Sequence, residues 1–537
     1  MMLFLPVVVV VVAVTAGAAD LVVDTKYGKV RGFSTEKSQI FYGIPYAQPP
    51  VDDLRWKDPE NVKSWSPAVL NATELKPGCP QFHCTDLSPP MVCPKKESED
   101  CLYMNIFAPL GTTSTSGLAV MLYLHGGNFV HMSASSLLYD GQIMAKLGGV
   151  LIVTIDYRLG ALGFLVTGQT KFDAVGNYGI LDQRLAMKWV KENIRAFGGD
   201  PSRVTLFGQS AGAQSILIHM TSEESYQYYD NVIVESSPLS IPMKKFPEAI
   251  VLGALFAELA NCTIRDIHCL KRKSGSQIAY AQYLARKKIS SLRLLEAFEP
   301  WGPFLDDKLI SKEPVYQFQS GKFAKKPILI GTTSQETQLY VFGAWSHPVS
   351  TSMYVELVMG TEPVHGVEVM IMYPPNKPED ERGNLVLLST DLVFGCSSRN
   401  VTQNIVKFGE QRVWMYVWDY AFKFAGWGNI TFCQGFVCHG SEVPFVFQSA
   451  GLGGFTYTPD EIQLSNDVID YWTNFAKTGD PNRSSSVKGP KGARMNWPNY
   501  KKENSWSQMR FKAPGSYVDN NFRSFYCDFW DRIGYSA

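Results

Sequence analysis

Gly208-Gln209-Ser210-Ala211-Gly212 is the stretch that most limits how this chain can fold. It follows the apolar run Val204–Phe207, which has the length and composition of a buried strand. The small residues allow a strand to turn sharply into a helix, which lifts the Ser210 hydroxyl above the end of a sheet. A serine held there becomes a nucleophile when a histidine takes its proton and an acid orients that histidine. We therefore predict that Ser210 is a catalytic nucleophile at a strand-to-helix turn.

Other apolar runs of similar length also end in turn residues, namely Val120–Leu124, Val150–Ile155 and Ile328–Ile330. Between two of them, Leu181–Ala196 has near-helical spacing, and four of its residues are predicted to face the sheet: Leu181, Leu185, Trp189 and Ile194. Strands alternating with helices indicate a mostly parallel central sheet covered by helices. We expect an α/β-hydrolase fold with inserted loops and a helical subdomain, formed by residues 20–537 as one domain.

The order of residues along the chain selects the base and the acid, because this fold delivers serine, acid and histidine in that order. Glu336 comes shortly after the run Ile328–Ile330, where the topology places its acid. Five histidines precede Ser210 or this acid: His83, His125, His131, His219 and His268. Of the remaining His347, His365 and His439, only His439 lies in a loop flanked by a cysteine and a glycine. We predict the triad Ser210, Glu336 and His439.

The negative oxygen of a tetrahedral intermediate needs backbone N–H donors. One donor is expected from Ala211, the residue after the nucleophile. The others are expected from His125-Gly126-Gly127-Asn128, which follows an earlier strand, with Gly127 and Asn128 as the donors. His125 is expected to be structural, because the order argument removes it from the triad.

The first nineteen residues carry no charged side chain, are apolar from Leu3 to Val14 and end in Ala16-Gly17-Ala18-Ala19. We expect residues 1–19 to be a secretory signal peptide and the mature chain to be extracellular, without stable membrane insertion. An uncleaved anchor is the alternative, since no Lys or Arg precedes the apolar stretch and its length approaches that of a membrane span.

Ten cysteines and five Asn-x-Ser/Thr sites fit an oxidising secretory route. The candidate glycosylation sites are Asn71, Asn261, Asn400, Asn429 and Asn482. The cysteines are Cys79, Cys84, Cys93, Cys101, Cys262, Cys269, Cys396, Cys433, Cys438 and Cys527. No CxxC pair occurs and histidines do not cluster beside them, which favours disulfides over a metal site.

Charge excludes one class of partner. Fifty Lys and Arg residues balance fifty Asp and Glu residues, so the chain lacks the basic excess of a dedicated nucleic-acid binder. No nucleic acid, metal or organic cofactor is expected.

Motifs along nearly the whole mature chain resemble the type-B carboxylesterase and cholinesterase family. They are Phe41–Pro50, Leu54-Arg55-Trp56, Glu99–Asn105, Asn177-Tyr178-Gly179, Phe197–Pro201, Trp472–Pro481 and Trp497-Pro498-x-Tyr500, besides the serine motif. The resemblance implies the disulfides Cys79–Cys101, Cys262–Cys269 and Cys396–Cys527. Cys84 with Cys93 and Cys433 with Cys438 are then the pairs left by elimination, and the second would restrain the loop that carries His439.

The resemblance implies a serine ester hydrolase that acts on a small-molecule ester through an acyl-enzyme. Gln209 stands where cholinesterases carry glutamate, and the segment between Cys79 and Cys101 lacks a tryptophan for a cation–π contact, so choline esters are poor candidates. Asn128 replaces the third oxyanion glycine of the family; asparagine tolerates unusual backbone angles. A lipase of the same family and a non-enzymatic adhesion or storage protein on this fold are the alternatives.

Overall fold

The computed structural model describes residues 21–86, 88–289, 295, 298–482 and 495–535. The predicted signal peptide lies outside these residues. The strands are β1 Val22–Thr25, β2 Gly28–Arg31, β3 Phe33–Ser34, β4 Ser38–Pro45, β5 Val69–Asn71, β6 Tyr103–Pro109, β7 Leu118–Leu124, β8 Leu151–Ile155, β9 Gly199–Gln209, β10 Asn231–Glu235, β11 Ile328–Thr333, β12 Val413–Trp418, β13 Ser507–Phe511 and β14 Tyr517–Asn520.

The α-helices are α1 Gln142–Gly148, α2 Gly160–Phe164, α3 Tyr178–Asn193, α4 Ala211–Thr221, α5 Phe246–Leu259, α6 Ile267–Lys271, α7 Gly275–Lys288, α8 Pro314–Gln319, α9 Gln338–Ala344, α10 Thr351–Thr361, α11 Gly366–Met372, α12 Arg382–Ser389, α13 Cys396–Lys407, α14 Val443–Phe447, α15 Pro459–Thr478 and α16 Ser524–Ile533. A π-helical segment, Thr390–Gly395, joins α12 to α13.

The main sheet of the described chain has the order β14-β13-β12-β11-β10-β9-β7-β8-β6-β4-β3. From β8 to β13 neighbouring strands are parallel, and the strands at both margins are antiparallel. A separate small sheet has the order β1-β2-β5. Every residue of β8, β10, β11 and β12 is buried, as expected for parallel strands with helices on both faces. The predicted α/β-hydrolase architecture is confirmed.

The alternation of side chains along β7 divides the core into two layers. Val120, Leu122 and Leu124 belong to one apolar cluster, which includes residues of α3 and α4. Met121 and Tyr123 belong to the other, which includes residues of α1 and α15. Successive residues of a strand point to opposite faces, so a continuous apolar run supplies both layers.

Helix α3 crosses from β8 to β9, but its buried face differs in part from the prediction. Trp189 and Ile194 are buried, whereas Leu181 and Leu185 are only partly so. Asp182 of the same helix is buried instead. Its carboxylate pairs with the buried guanidinium of Arg158, with Nη2 and Oδ1 2.7 Å apart. An inventory of apolar residues alone could not anticipate a buried charge that is paired in this way.

The structure pairs all ten cysteines as five disulfides, with the partners that the resemblance and elimination implied: Cys79–Cys101, Cys84–Cys93, Cys262–Cys269, Cys396–Cys527 and Cys433–Cys438. Among the candidate glycosylation sites, Asn71, Asn261 and Asn429 are exposed. The side-chain nitrogens of Asn400 and Asn482 already donate hydrogen bonds to protein groups. Within the described residues, no helix has both the length and the apolar character needed to cross a membrane.

Candidate functional site

Ser210 lies at the sharp turn between β9 and α4, where its backbone has φ 60° and ψ −125°. The turn packs against the end of β7, and only glycine fits beside it. A Cβ atom on Gly212 would lie 1.9 Å from the carbonyl oxygen of Leu124, and one on Gly208 would lie 2.6 Å from the same oxygen. The Ser210 N–H donates to the carbonyl of Glu235 at the end of β10, which holds the turn above the sheet.

His439 and Glu336 form a buried hydrogen-bonded pair at the same edge of the sheet. His439 Nδ1 is 2.6 Å from Glu336 Oε2, and the other oxygen of Glu336 accepts the N–H of Thr333 at 2.6 Å. A carboxylate can only accept, so Nδ1 carries the ring proton and Nε2 is left as an acceptor. The disulfide Cys433–Cys438 ends immediately before His439 and closes the loop that carries it.

The Nε2 atom of His439 is occupied by a neighbour of Ser210. Gln209 Nε2 lies 2.9 Å from it, so the amide donates the hydrogen bond that a triad serine would otherwise provide. Among the described residues no hydrogen bond joins Ser210 to His439.

Tyr340 is a further residue of this site. Its ring lies 5.5 Å from that of His439, centroid to centroid. Burial is the main cause that raises the pKa of Tyr340, the charge of Glu336 adds to it, and a hydrogen bond with Ser210 acts in the opposite direction. Tyr340 lies in the first turn of α9, which begins two residues after Glu336.

The candidate oxyanion loop has the unusual backbone that its sequence suggested. Gly127, Asn128 and Phe129 have φ values of 96°, 51° and 57°. A Cβ atom on Gly126 would lie 2.9 Å from the Cβ of Ser210, so the loop lies directly beside Ser210. In the part of the chain that the structure describes, the N–H groups of Gly127, Asn128 and Ala211 donate to no protein acceptor. These are the three groups predicted to bind an oxyanion.

His125 is buried inside this loop. Its Nδ1 lies 2.9 Å from the carbonyl oxygen of Gly126, and its ring stacks on Tyr157 with centroids 4.6 Å apart. Burial lowers the pKa of His125 to about 4, so the ring is neutral near pH 7. These contacts fix the loop. Of the other two histidines that follow Glu336 in the chain, His347 is exposed and His365 pairs with Glu368.

Two further buried carboxyl groups lie close to Glu336. Burial raises the pKa of Glu442 well above its usual range, and the neighbouring charges of Glu336 and Glu235 add to the effect. Burial also raises the pKa of Glu235 to about 8, although the Trp472 indole N–H donates to it at 2.6 Å. Burial therefore favours the neutral form of both groups.

The sequence alone gives neither Gln209 nor Tyr340 a place at His439, and Gln209 stands out there only by its difference from the cholinesterases. The short separation of Tyr340 from Glu336, four residues along the chain, is a signal that could have found it.

Comparison with known proteins agrees with this geometry. A family model described as the carboxylesterase family matches residues 19–530. The cAMP-regulated D2 protein of Dictyostelium discoideum is 35% identical over 468 residues, which are 87% of this chain and 85% of that protein. Crystal protein of the same organism is 33% identical over 475 residues, 86% of this chain and 83% of that one. Acetylcholinesterase of Bungarus fasciatus is 29% identical over 560 residues, which cover 97% of this chain and 88% of that protein.

Solved structures give the same result. A thermophilic PNB esterase matches with a TM-score of 0.79 and 31% identity, over 95% of this chain and 99% of that chain. A second PNB esterase matches with a TM-score of 0.78, with the same identity and coverage. The predicted resemblance is confirmed, and the chain belongs to the carboxylesterase family.

Proposed function

We propose that the chain is a secreted serine carboxylic ester hydrolase in which Ser210, His439 and Glu336 form the catalytic triad. The observation that carries this proposal is the buried 2.6 Å pair of His439 and Glu336 at the edge of the sheet where the strained turn presents Ser210. Residues 20–537 would form one catalytic domain. The five disulfides and the exposed glycosylation sites support an extracellular location.

In the proposed reaction, the Ser210 hydroxyl attacks the ester carbonyl and His439 Nε2 takes its proton. The new negative oxygen accepts hydrogen bonds from the N–H groups of Gly127, Asn128 and Ala211. The ester C–O bond then breaks, and the alcohol leaves with the proton from His439. Water attacks the resulting acyl-serine with His439 again as the base, which releases the acid and restores Ser210. Glu336 holds the ring and stabilises its positive charge throughout.

A fluorophosphonate ester tests the proposal directly, because Ser210 would attack phosphorus and expel fluoride. We expect one adduct per chain, located by peptide mass spectrometry on the peptide that contains Ser210. Hydrolysis of 4-nitrophenyl butyrate should disappear in proportion to labelling, and denatured protein should not react. A non-enzymatic adhesion or storage protein would show neither turnover nor labelling at Ser210.

The contact of Gln209 with His439 leads to a prediction about pH. Replacing Gln209 with glutamate puts a negative charge about 3 Å from Nε2, which favours the protonated ring. Since the protonated ring cannot act as a base, we expect the acid limb of the kcat/KM profile for 4-nitrophenyl butyrate to move to higher pH by about one unit or more.

Gln209→Met is the matched control, because methionine has a similar length and no charge. It should leave the acid limb within a few tenths of a unit of the wild type. An unmoved profile in Gln209→Glu would contradict the placement of residue 209 on His439.

A further inference from the structure

A buried carboxyl group near Ser210 has no part in the proposed triad. Glu299 is 5% exposed, and its Oε1 accepts no hydrogen bond from any described residue. Its carboxyl group interacts with the side chain of Gln214, which is 3% exposed and whose own Oε1 also lacks a donor among those residues. Two acceptor oxygens are thus buried close together without a donor from the part of the chain that the structure describes.

These two residues border the nucleophile and the oxyanion loop. Gln214 lies in α4, four residues after Ser210, and its N–H donates to the Ser210 carbonyl at 2.9 Å. A Cβ atom on Gly302 would lie 3.2 Å from Glu299 Cγ and 3.2 Å from a ring carbon of Phe129, the residue after Asn128. The negative charge of Glu299 also helps to raise the pKa of Tyr340, which interacts with Ser210.

Glu299 is not among the described side chains that contact His439. A leaving alcohol must lie beside His439, which gives it a proton. The described side chains in contact with His439 are those of Glu336, Gln209, Tyr340 and Phe394. Glu299 lies instead near α4 and Phe129, which leaves this side of Ser210 for the acyl part of a substrate.

The charges around Glu299 indicate whether its missing hydrogen-bond donor is a cation or a neutral group. Burial raises the pKa of Glu299, while Lys244 and Gln214 act in the opposite direction. Lys244 Nζ also donates to the main-chain carbonyl of Glu299 at 3.2 Å. Because a positive charge is already nearby, a neutral donor fits better than a second cation. An acceptor buried without a donor is unfavourable, and a hydroxyl would satisfy it.

We propose that Glu299 and Gln214 form a recognition site for a hydroxyl group on the acyl chain of the ester substrate. The inference rests on the proposed function of Ser210 and adds a substrate class to it: hydroxyacyl esters. A site built to bond a hydroxyl discriminates strongly against the analogue that lacks it, because its polar groups are then left unpaired.

The test compares 4-nitrophenyl 3-hydroxybutyrate with 4-nitrophenyl 3-methylbutyrate, which differ by a hydroxyl in place of a methyl group. We expect the wild type to favour the hydroxy ester in kcat/KM by about 10-fold or more. Glu299→Leu should bring this ratio close to one and keep the activity on the methyl ester within a few-fold. Glu362→Leu, which removes another buried carboxyl group, should leave the ratio unchanged.

Labelling by the fluorophosphonate separates the possible failures. If Glu299→Leu fails to label at Ser210, the variant is not folded, and Gln214→Leu takes its place with an expected loss of at least threefold in the ratio. A wild type that labels but shows no preference, or a folded variant that keeps it, overturns the hydroxyl site while the esterase proposal stands. A wild type that neither labels nor hydrolyses either ester overturns the proposed function itself.

Discussion

Replacing Ser210 with alanine is expected to lower kcat for 4-nitrophenyl butyrate by about 10⁵- to 10⁶-fold, with KM within a few-fold of the wild type. The substitution removes only Oγ, the atom that would form the acyl bond. The turn should survive, because alanine and serine both place a Cβ at the strained φ of 60°. Steady-state turnover measured beside the thermal unfolding midpoint checks both statements.

Ser215→Ala is the matched control for this substitution. Ser215 is buried in α4, the helix that follows Ser210. Its hydroxyl donates to the Ala211 carbonyl at 2.8 Å and accepts from the Gln183 side chain at 3.0 Å. Its loss should change stability by about 1 kcal/mol and leave turnover within a few-fold. If Ser210→Ala kept more than about 1% of wild-type turnover, another group would have to be the nucleophile.

The turn at Ser210 could be predicted because its geometry depends on local chemistry. A strand, a run of small residues and a helix are adjacent in sequence, and Gly208 and Gly212 are required by contacts that any such turn makes with the neighbouring strand. Glu336 and His439 are distant in sequence, but the fold fixes the order in which they arrive. This order, and the context of His439, selected a pair that the structure places 2.6 Å apart.

Contacts that depend on side-chain rotation could not be predicted in the same way. The position of Gln209 explains why its amide can reach His439, but a glutamine has several rotamers, and the one that contacts Nε2 is selected by the packing around it. Gln214, which interacts with Glu299, lies in α4, 85 residues earlier in the chain. Nothing in the sequence near Glu299 marks it as a buried group that lacks a donor among the described residues.

Glu336 and Glu442 offer a comparison between two buried carboxyl groups in one site. Replacing Glu336 with glutamine is expected to lower kcat by about 10³- to 10⁴-fold, because an amide no longer fixes the proton on His439 Nδ1 or stabilises the charged ring. Replacing Glu442 with glutamine is expected to leave kcat within about threefold. The two changes are equal in size and differ only in which carboxyl group is lost.

The expected difference follows from the ionisation of the two groups. Burial and the charge of Glu336 raise the pKa of Glu442 well above its usual range, which favours the neutral acid, and a glutamine reproduces the charge and shape of that form. Its Oε1 would still accept from Ser236 Oγ, now 3.3 Å away. Steady-state kinetics and unfolding of both variants at pH 7 measure the contrast. A large loss of turnover in folded Glu442→Gln, with Glu336→Gln almost unaffected, would reverse the assignment of the triad acid.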